Sequence, residues 1–361
     1  MNSDSSKTSY YDYDLPKQFI AQHPIAKRDE SRLLVLHRKS SKIEHRRFFE
    51  IIEYLNPGDV LVLNDTKVIP AKIIAFKTTG GKIEALIIKE IEDGIWEMLL
   101  KSNSRLKENE SLFFNDHHVA EGFSLPYSVK GKIVCQNETG SRIIKFENGK
   151  EFTNILKNSG QMPLPPYIKR NFENESLRIH DMERYQTIYA KKMGAIAAPT
   201  AGLHFTNSLL EKIVNKRIKI AYITLHVGLG TFKTINEENF KKHTMHKEFY
   251  IVPKETVSII NKAKSLGKKI IATGTTTCKV LETIARNCKI KESSGWTNLF
   301  IYPPFKFKLT DSLITNFHLQ RTSLILLVSA FAGKENITTS YEAAINYGYR
   351  FYSYGDCMLI L

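Results

Sequence analysis

Apolar residues follow two different patterns along this chain. Residues 32–37 contain a continuous Leu-Leu-Val-Leu run, which predicts a strand buried on both faces. Residues 59–154 carry short apolar runs separated by Gly, Asn or Asp turns, which is typical of a small β-barrel. The six runs assigned to this barrel cover residues 60–63, 71–76, 83–89, 95–101, 129–135 and 141–146.

After residue 155 predicted helices alternate with predicted strands. This alternation is typical of α/β folds. Because residues 1–58 also mix strand and helix patterns, with a helix predicted at 48–55, they are assigned to the same domain. The sequence therefore predicts an α/β core domain (1–58 and 155–361) with an inserted small antiparallel β-barrel domain (59–154). Its later helices are predicted at 207–215, 254–265, 276–286, 322–332 and 340–347, and its later strands at 218–225 and 269–273.

Composition places the chain among ordinary globular proteins. It has 361 residues, 42% hydrophobic and 25% charged, which supplies enough apolar material for a core and argues against disorder. The longest apolar stretch, residues 324–332, is far shorter than the roughly 20 residues that cross a bilayer. The first 14 residues are polar and lack the apolar segment of a signal peptide. We therefore expect a cytoplasmic protein with no membrane contact.

The net charge favours a polyanionic partner. Lys and Arg number 52 against 37 Asp and Glu, which gives +15 and attracts nucleic acid. Residues 17–47 form the densest basic stretch, so we expect them to contact phosphate. The four cysteines are scattered without a Cys-x-x-Cys pair, so neither a disulfide framework nor a thiolate zinc site is expected.

Polar segments occur where predicted strands end and predicted helices begin. Ligands of α/β sheets gather beyond the carboxyl ends of strands, and helix starts offer free N–H groups to anions. Residues 198–206, 224–232 and 270–277 are such segments, and Thr206 or Asn207 is the expected N-cap of the helix that follows the first. Their candidate ligand-binding residues are Thr200, Gly202, His204, His226, Gly228, Gly230, Thr231, Thr275 and Thr276.

Residues 243–248 allow two interpretations. His243, His246 and Glu248 have a spacing that resembles a metal site. The order differs from the zincin pattern of two histidines four residues apart with a glutamate beside the first. Histidines that form hydrogen bonds or transfer protons near neutral pH are the other interpretation, and no metal is assigned.

Further polar residues lie beside predicted strands near both ends of the chain. Arg28 could hold phosphate, and Asp29 or Asp65 could hold a ribose hydroxyl or an amine. An amide and a phenol able to bind a base edge follow in the middle of the chain. The remaining candidates are Asn64, Tyr185, Gln186, Asn316 and His318.

Taken together, long motifs in this order resemble the S-adenosylmethionine:tRNA ribosyltransferase-isomerase family of queuosine biosynthesis. The resemblance covers nearly the whole chain and agrees with an α/β core that carries an inserted barrel. Among the motifs that carry it are Tyr13-Asp14-Leu15-Pro16, Leu63-Asn64-Asp65-Thr66, Met162-Pro163-Leu164-Pro165-Pro166-Tyr167, Ala198-Pro199-Thr200-Ala201-Gly202-Leu203-His204-Phe205, Thr224-Leu225-His226-Val227-Gly228, Thr315-Asn316-Phe317-His318-Leu319 and Tyr352-Ser353-Tyr354-Gly355-Asp356.

The resemblance implies a reaction, its substrates and roles for the candidate residues. The ribosyl group of S-adenosylmethionine (SAM) would pass to 7-aminomethyl-7-deazaguanine at the tRNA wobble position and isomerise to give epoxyqueuosine, with release of adenine and methionine. SAM would be a substrate, no cofactor is implied, and we expect a monomer. His204 and His226 are the leading acid or base candidates, followed by His243, His246 and His318. A SAM-dependent tRNA methyltransferase, a metal-dependent hydrolase and a non-catalytic RNA-binding module are the alternatives.

Overall fold

The computed structural model describes residues 4–115, 128–137, 140–170, 174–228, 230, 234–285 and 290–361. Its strands, in chain order, are β1 (Arg32–His37), β2 (Lys42–Arg47), β3 (Val60–Asn64), β4 (Thr66–Val68), β5 (Lys72–Lys77), β6 (Lys82–Glu92), β7 (Ile95–Ser102), β8 (Ser111–Asn115), β9 (Ser128–Gln136), β10 (Arg142–Phe146), β11 (Lys192–Ala195), β12 (Lys219–Leu225), β13 (Glu248–Val252), β14 (Ile270–Thr273), β15 (Ser293–Thr297), β16 (Ser312–Asn316) and β17 (Cys357–Ile360). The helices are α1 (Gly149–Ser159), α2 (Glu175–Arg184), α3 (Asn207–Asn215), α4 (Lys254–Ser265), α5 (Thr275–Ile284), α6 (Ser323–Ala332) and α7 (Lys334–Asn346).

A large mixed sheet forms the centre of one compact unit, which comprises Met1–Lys67, Pro165–Arg170 and Arg184–Leu361. Its strand order is β15-β13-β12-β3-β14-β16-β17-β1-β2. The neighbours β12, β3, β14 and β16 are parallel, whereas β17 runs antiparallel to β16. All five residues of β3 are buried, as expected for a parallel strand covered on both faces.

Helices cover both faces of this sheet. Val60 and Val62 of β3 pack into one apolar cluster together with residues of α4, α5, α6 and α7. Leu61 and Leu63 point to the opposite cluster, which contains Leu209 of α3. Successive side chains of a strand point to opposite faces, so β3 stabilises both layers. Thr206 caps α3, because its Oγ1 accepts the Leu209 N–H at 3.2 Å.

The second compact unit comprises Val68–Leu164 and Asn171–Glu183 and contains a closed antiparallel barrel. The barrel order is β10-β7-β6-β5-β8-β9. An aromatic cluster packs in this unit: Phe146 stacks on Phe152 of α1 at 3.8 Å between ring centroids, and Phe114 is edge-on to both. Closure leaves this sheet without an unpaired edge.

The predicted fold class is confirmed, but one strand was assigned to the wrong sheet. Residues 60–63 belong to β3 in the large sheet, so their assignment to the barrel is wrong. The sixth barrel strand is β8, which the sequence analysis missed. Val-Leu-Val-Leu is continuously apolar because it is buried on both faces, and barrel strands alternate instead.

Several predicted elements agree with the structure, and others change type. The helices α3 and α4 have the predicted bounds, whereas the helix predicted at 48–55 is a 3-10 helix at Phe48–Tyr54. The predicted domain boundaries at residues 58 and 154 stay a prediction. Within the described residues, no helix is long and apolar enough to cross a membrane.

Candidate active site

A cleft lies at the carboxyl ends of the parallel strands of the large sheet. Because β12, β3, β14 and β16 run in the same direction, the loops that follow them lie at one edge, where α/β sheets bind ligands. The cleft encloses about 640 Å³ including its open mouth. Its walls include residues 198–201, 274–276 and 315–319, together with Tyr167, Val227, Tyr352 and Ser353.

Threonine hydroxyls line part of this cleft. Thr275 and Thr276 begin α5, directly after Gly274. The φ of Gly274 is 87°, in the left-handed region that favours glycine, so the chain turns sharply from β14 into the helix. Thr200 begins a 3-10 helix that ends at His204 and also lines the cleft. Hydroxyl and helix-start N–H groups of this kind suit ribose hydroxyls or a carboxylate.

His318 is the histidine that lines the cleft wall. Its Nε2 lies 2.6 Å from Thr315 Oγ1, and its backbone N–H donates to the Tyr341 hydroxyl at 2.9 Å. Burial lowers the pKa of His318 to about 3, because the charged imidazolium is poorly solvated there. Since Thr315 occupies Nε2, Nδ1 is the ring nitrogen left for a ligand, and it has no partner among the described residues.

His204 does not line the cleft but contacts Asn316, which does. The Asn316 amide Nδ2 is 3.3 Å from His204 Nε2, so Nε2 accepts, and the proton on Nδ1 donates to Ser31 Oγ at 2.7 Å. Burial, with repulsion from Arg350 and Arg28, lowers the pKa of His204 to about 3. Asn316 itself lines the cleft, and its buried Oδ1 has no partner within the described part of the chain. His204 therefore positions an amide oxygen that can face a ligand.

These two neutral histidines should make folding sensitive to acid. Their folded pKa values of about 3 lie below the ordinary 6.5, so below pH 6.5 the unfolded chain binds more protons than the folded chain. We expect the free energy of unfolding to fall by about 1.4 kcal/mol per pH unit for each histidine once the pH is well below 6.5. Urea unfolding measured from pH 7.5 to 4.5 checks this.

The His318→Gln variant provides the control for this pH dependence. It keeps a polar side chain but removes one buried imidazole, so the slope below pH 6.5 should drop by about 1.4 kcal/mol per pH unit. An identical slope in the variant and the original protein would mean that His318 is not held neutral by burial.

His226 has the geometry of a neutral base. It follows β12, is half-buried, and its Nδ1 lies 2.8 Å from Thr66 Oγ1. When Nδ1 donates to that hydroxyl, Nε2 carries the lone pair, and Nε2 has no partner among the residues described. Burial lowers the pKa of His226 while the Asp65 carboxylate opposes the shift, so the ring is neutral at pH 7. A Cβ on Gly194 would lie 2.9 Å from this ring, so glycine makes room for it.

Asn64, the last residue of β3, and Asp65, which follows it, form hydrogen bonds with the end of the neighbouring strand β12. Asn64 is fully buried; its Nδ2 donates to Leu225 C=O at 3.1 Å, and its Oδ1 accepts Leu225 N–H at 3.0 Å. Asp65 Oδ1 accepts from Thr224 Oγ1 at 2.6 Å. Both side chains therefore fix the end of β12, one residue before His226. Neither is a wall of the cleft.

The remaining candidates from the front and middle of the chain lie outside the cleft walls. The Arg28 guanidinium donates to Leu203 C=O at 3.0 Å, and Asp29 accepts from Thr206 Oγ1 at 2.8 Å. Tyr185 is fully buried, which raises the pKa of its hydroxyl. Gln186 is half-buried. Arg28 and Asp29 therefore contact the helix-start loop at residues 198–206, and none of the four lines the cleft.

The candidate glycines differ in how much space surrounds them. A Cβ on Gly202 would collide with the Tyr189 hydroxyl, and one on Gly230 would collide with the His246 ring. A Cβ on Gly228 would meet open space. Gly202 and Gly230 therefore allow close packing, whereas Gly228 has open space beside its Cα. Thr231 lies outside the described residues.

The histidine segment at 243–248 does not gather its side chains around a common point. His243 Nδ1 lies 3.1 Å from Glu237 Oε2, whereas Glu248 pairs with Lys279. His246 is exposed and packs beside Gly230. Within the described residues there is no group of three or more His, Cys, Asp or Glu side chains placed to hold a metal ion.

Sequence reasoning missed the hydroxyl groups that pair with the histidines. Ser31, Thr66 and Thr315 each contact one imidazole. It also missed Tyr167 and Ser353, which line the cleft and whose hydroxyl oxygens are 2.7 Å apart. Apart from Thr315, which lies three residues before His318, each of these hydroxyl groups has a partner more than 150 residues away, so no local pattern connects them.

The chain is similar to known proteins over nearly its whole length. A family model described as "Queuosine biosynthesis protein" matches residues 8–360. S-adenosylmethionine:tRNA ribosyltransferase-isomerase of Thermotoga maritima is 49% identical over 98% of this chain and 100% of its own length, and that of Thermotoga petrophila is 48% identical with the same coverage. The crystal structure of S-adenosylmethionine tRNA ribosyltransferase from Thermotoga maritima matches with a TM-score of 0.54 and 40% identity over 97% of this chain and 99% of that one.

Proposed function

Because this chain belongs to the family of queuosine biosynthesis proteins, we propose that it transfers the ribosyl group of SAM to tRNA and isomerises it. The acceptor is 7-aminomethyl-7-deazaguanine at the wobble position, the product is epoxyqueuosine, and adenine and methionine leave. The single observation that carries this proposal is the likeness to ribosyltransferase-isomerases over the full length of the chain. The cleft supports it by offering hydroxyl, amide and neutral imidazole groups together.

The chemistry requires a base beside the donor sulfur. A sulfonium acidifies the C5′ hydrogens next to it, so a neutral base can remove one of these protons and leave a carbanion equivalent on the ribosyl group, stabilised by the adjacent sulfur. A base with a pKa near the working pH is the most efficient. His226 is assigned this role because its Nε2 is unpartnered within the described residues and its pKa is lowered less than those of the fully buried histidines.

The residues that line the cleft bind the donor and help adenine to leave. His318 Nδ1 and Asn316 Oδ1 provide neutral polar groups in the wall, while Thr200, Thr275 and Thr276 bind ribose or methionyl oxygens. Open space lies beside the Cα of Gly228, where a ligand can approach. His204, Asn64 and Asp65 act as positioning residues through their contacts with Asn316 and the end of β12.

The partners follow from the same reaction. SAM is a substrate, and the proposal requires no resident cofactor. The net charge of +15 favours tRNA, with residues 17–47 assigned to phosphate contacts, so tRNA affinity should fall as salt rises. All residues described in the cleft belong to one compact unit, so one chain supplies the whole site. We propose a monomer that acts in the cytoplasm.

The products of one reaction test the proposal. Purified protein, SAM and an anticodon stem-loop carrying 7-aminomethyl-7-deazaguanine should give equal amounts of free adenine, methionine and modified RNA, measured by chromatography and mass spectrometry. The same stem-loop with ordinary guanine is the control and should release no adenine. Formation of S-adenosylhomocysteine in place of adenine would instead identify a methyltransferase.

A further inference from the structure

A second cavity adjoins the cleft and contains a buried ion pair. It encloses about 350 Å³ including open space, and it shares Thr275, Thr276 and Leu324 with the cleft. Glu248 and Lys279 both line it. The other walls are mainly apolar and include Leu299, Phe300, Ile301 and Leu327. One elongated ligand could therefore occupy the cleft and this cavity together.

The lysine of this ion pair has N–H donors that no described residue accepts. Lys279 Nζ lies 2.6 Å from Glu248 Oε2, with side chains 11% and 5% exposed. An ammonium has three N–H donors, and within the described residues Glu248 is the hydrogen-bond partner of Lys279 Nζ. Leaving donors of a buried charge unused is costly. The cavity is thus equipped to receive an additional anionic oxygen.

Glu248 also connects this cavity to the base. Its Oε1 accepts the Gly228 N–H at 3.2 Å, and Gly228 is two residues after His226. A carboxylate accepts several donors at once, and the negative charge of Glu248 attracts an ammonium group of a ligand. Opposite charges side by side in an apolar cavity match the two charges of an amino acid.

We propose that this cavity binds the methionyl end of SAM, with the α-carboxylate on Lys279 Nζ and the α-ammonium on Glu248. The inference rests on the proposed function and specifies which part of the donor enters which cavity. The apolar walls contact the methylene groups between the α-carbon and the sulfur, and the ribose and adenine lie in the larger cleft. Lys279 and Glu248 are then specificity residues for the amino-acid end of the donor.

Calorimetric binding of two ligands tests this placement. SAM and decarboxylated SAM share the sulfonium, the amine and the nucleoside, but only SAM carries the α-carboxylate. The unaltered protein should bind SAM at least about tenfold more tightly than the decarboxylated ligand, as expected for a charge-assisted contact. Equal affinities would overturn the inference without requiring any variant.

Variants then locate the contact. Lys279→Met should weaken SAM binding by about 10- to 100-fold and change binding of the decarboxylated ligand less than about threefold. Lys279→Arg should restore most of the preference. Lys77→Met is the matched control: Lys77 is a similarly buried lysine paired with Glu110 in the barrel unit, and its loss should affect neither affinity.

Other outcomes are equally decisive. If Lys279→Met weakened the binding of SAM and of decarboxylated SAM equally, the Glu248–Lys279 ion pair would only support the Gly228 loop, which overturns the inference. Unaltered protein that binds SAM, releases adenine and shows no preference between the ligands overturns the inference alone. Unaltered protein that neither binds SAM nor releases adenine overturns the proposed function, and the inference with it.

Discussion

Replacing His226 with alanine is expected to lower the rate of adenine release from SAM by about 10²- to 10⁴-fold, the usual contribution of a positioned acid or base. The half-buried imidazole bonds Thr66 through Nδ1 and has an unpartnered Nε2 within the described residues. Exchange of the donor C5′ hydrogens with deuterated water, measured by NMR, should slow by a similar factor, because it reports proton removal directly.

His180→Ala is the control for this substitution. His180 lies on α2 in the barrel unit, so its removal should change adenine release less than about twofold, as for substitutions outside a site. SAM affinity should also stay nearly constant in His226→Ala. Full turnover and unchanged exchange in His226→Ala would transfer the role of base to His318, which lines the cleft wall.

Asn64→Asp should reduce the free energy of unfolding at pH 7 by about 2–4 kcal/mol, although the two side chains have nearly the same shape. The Asn64 amide donates to Leu225 C=O and accepts Leu225 N–H. A carboxylate keeps the acceptor but places a negative oxygen against the carbonyl in a fully buried position. Urea denaturation provides the measurement, and the loss should shrink at low pH, where the protonated carboxyl donates again.

Asn148→Asp is the same chemical change at a helix cap, and there it is expected to leave the free energy of unfolding nearly unchanged. Asn148 caps α1, with its Oδ1 accepting Glu151 N–H at 3.1 Å, and aspartate caps helices as well as asparagine. Its effect on stability should stay within about 0.5 kcal/mol. If Asn64→Asp were equally harmless while adenine release failed, Asn64 would contact the substrate instead of fixing the end of β12.

Local patterns predicted much of the fold because they depend on neighbours along the chain. The helix at residues 207–215 was predicted with its bounds, and Thr206, one of the two residues expected as its N-cap, is the cap. The strands at 32–37 and 219–225 were predicted almost to the residue. Strand β8 was missed because it has only the residues 111–115 and lies between polar segments. A run this short shows neither the alternation of a strand nor the periodicity of a helix.

Candidate residues could be named from sequence, but their separate roles could not. His204, His226 and His318 occur in similar polar segments at strand or helix ends. The structure gives them different environments: His204 is bonded at both nitrogens, His318 lines the cleft, and His226 lies half-buried beside Thr66. Burial and partners from remote segments set these differences, and one sequence does not report them.

The sequence by itself determined the class of fold, the resemblance to a queuosine family and the segments that carry polar chemistry, because periodicity, capping and motif order are properties of neighbouring residues. Only the tertiary structure decided that residues 60–63 join the large sheet, that Asn64 supports β12 and that Glu248 meets Lys279 beside the cleft. Each of these contacts joins residues that are distant in the chain, and their energies depend on burial created only when the sheet and its helices pack together.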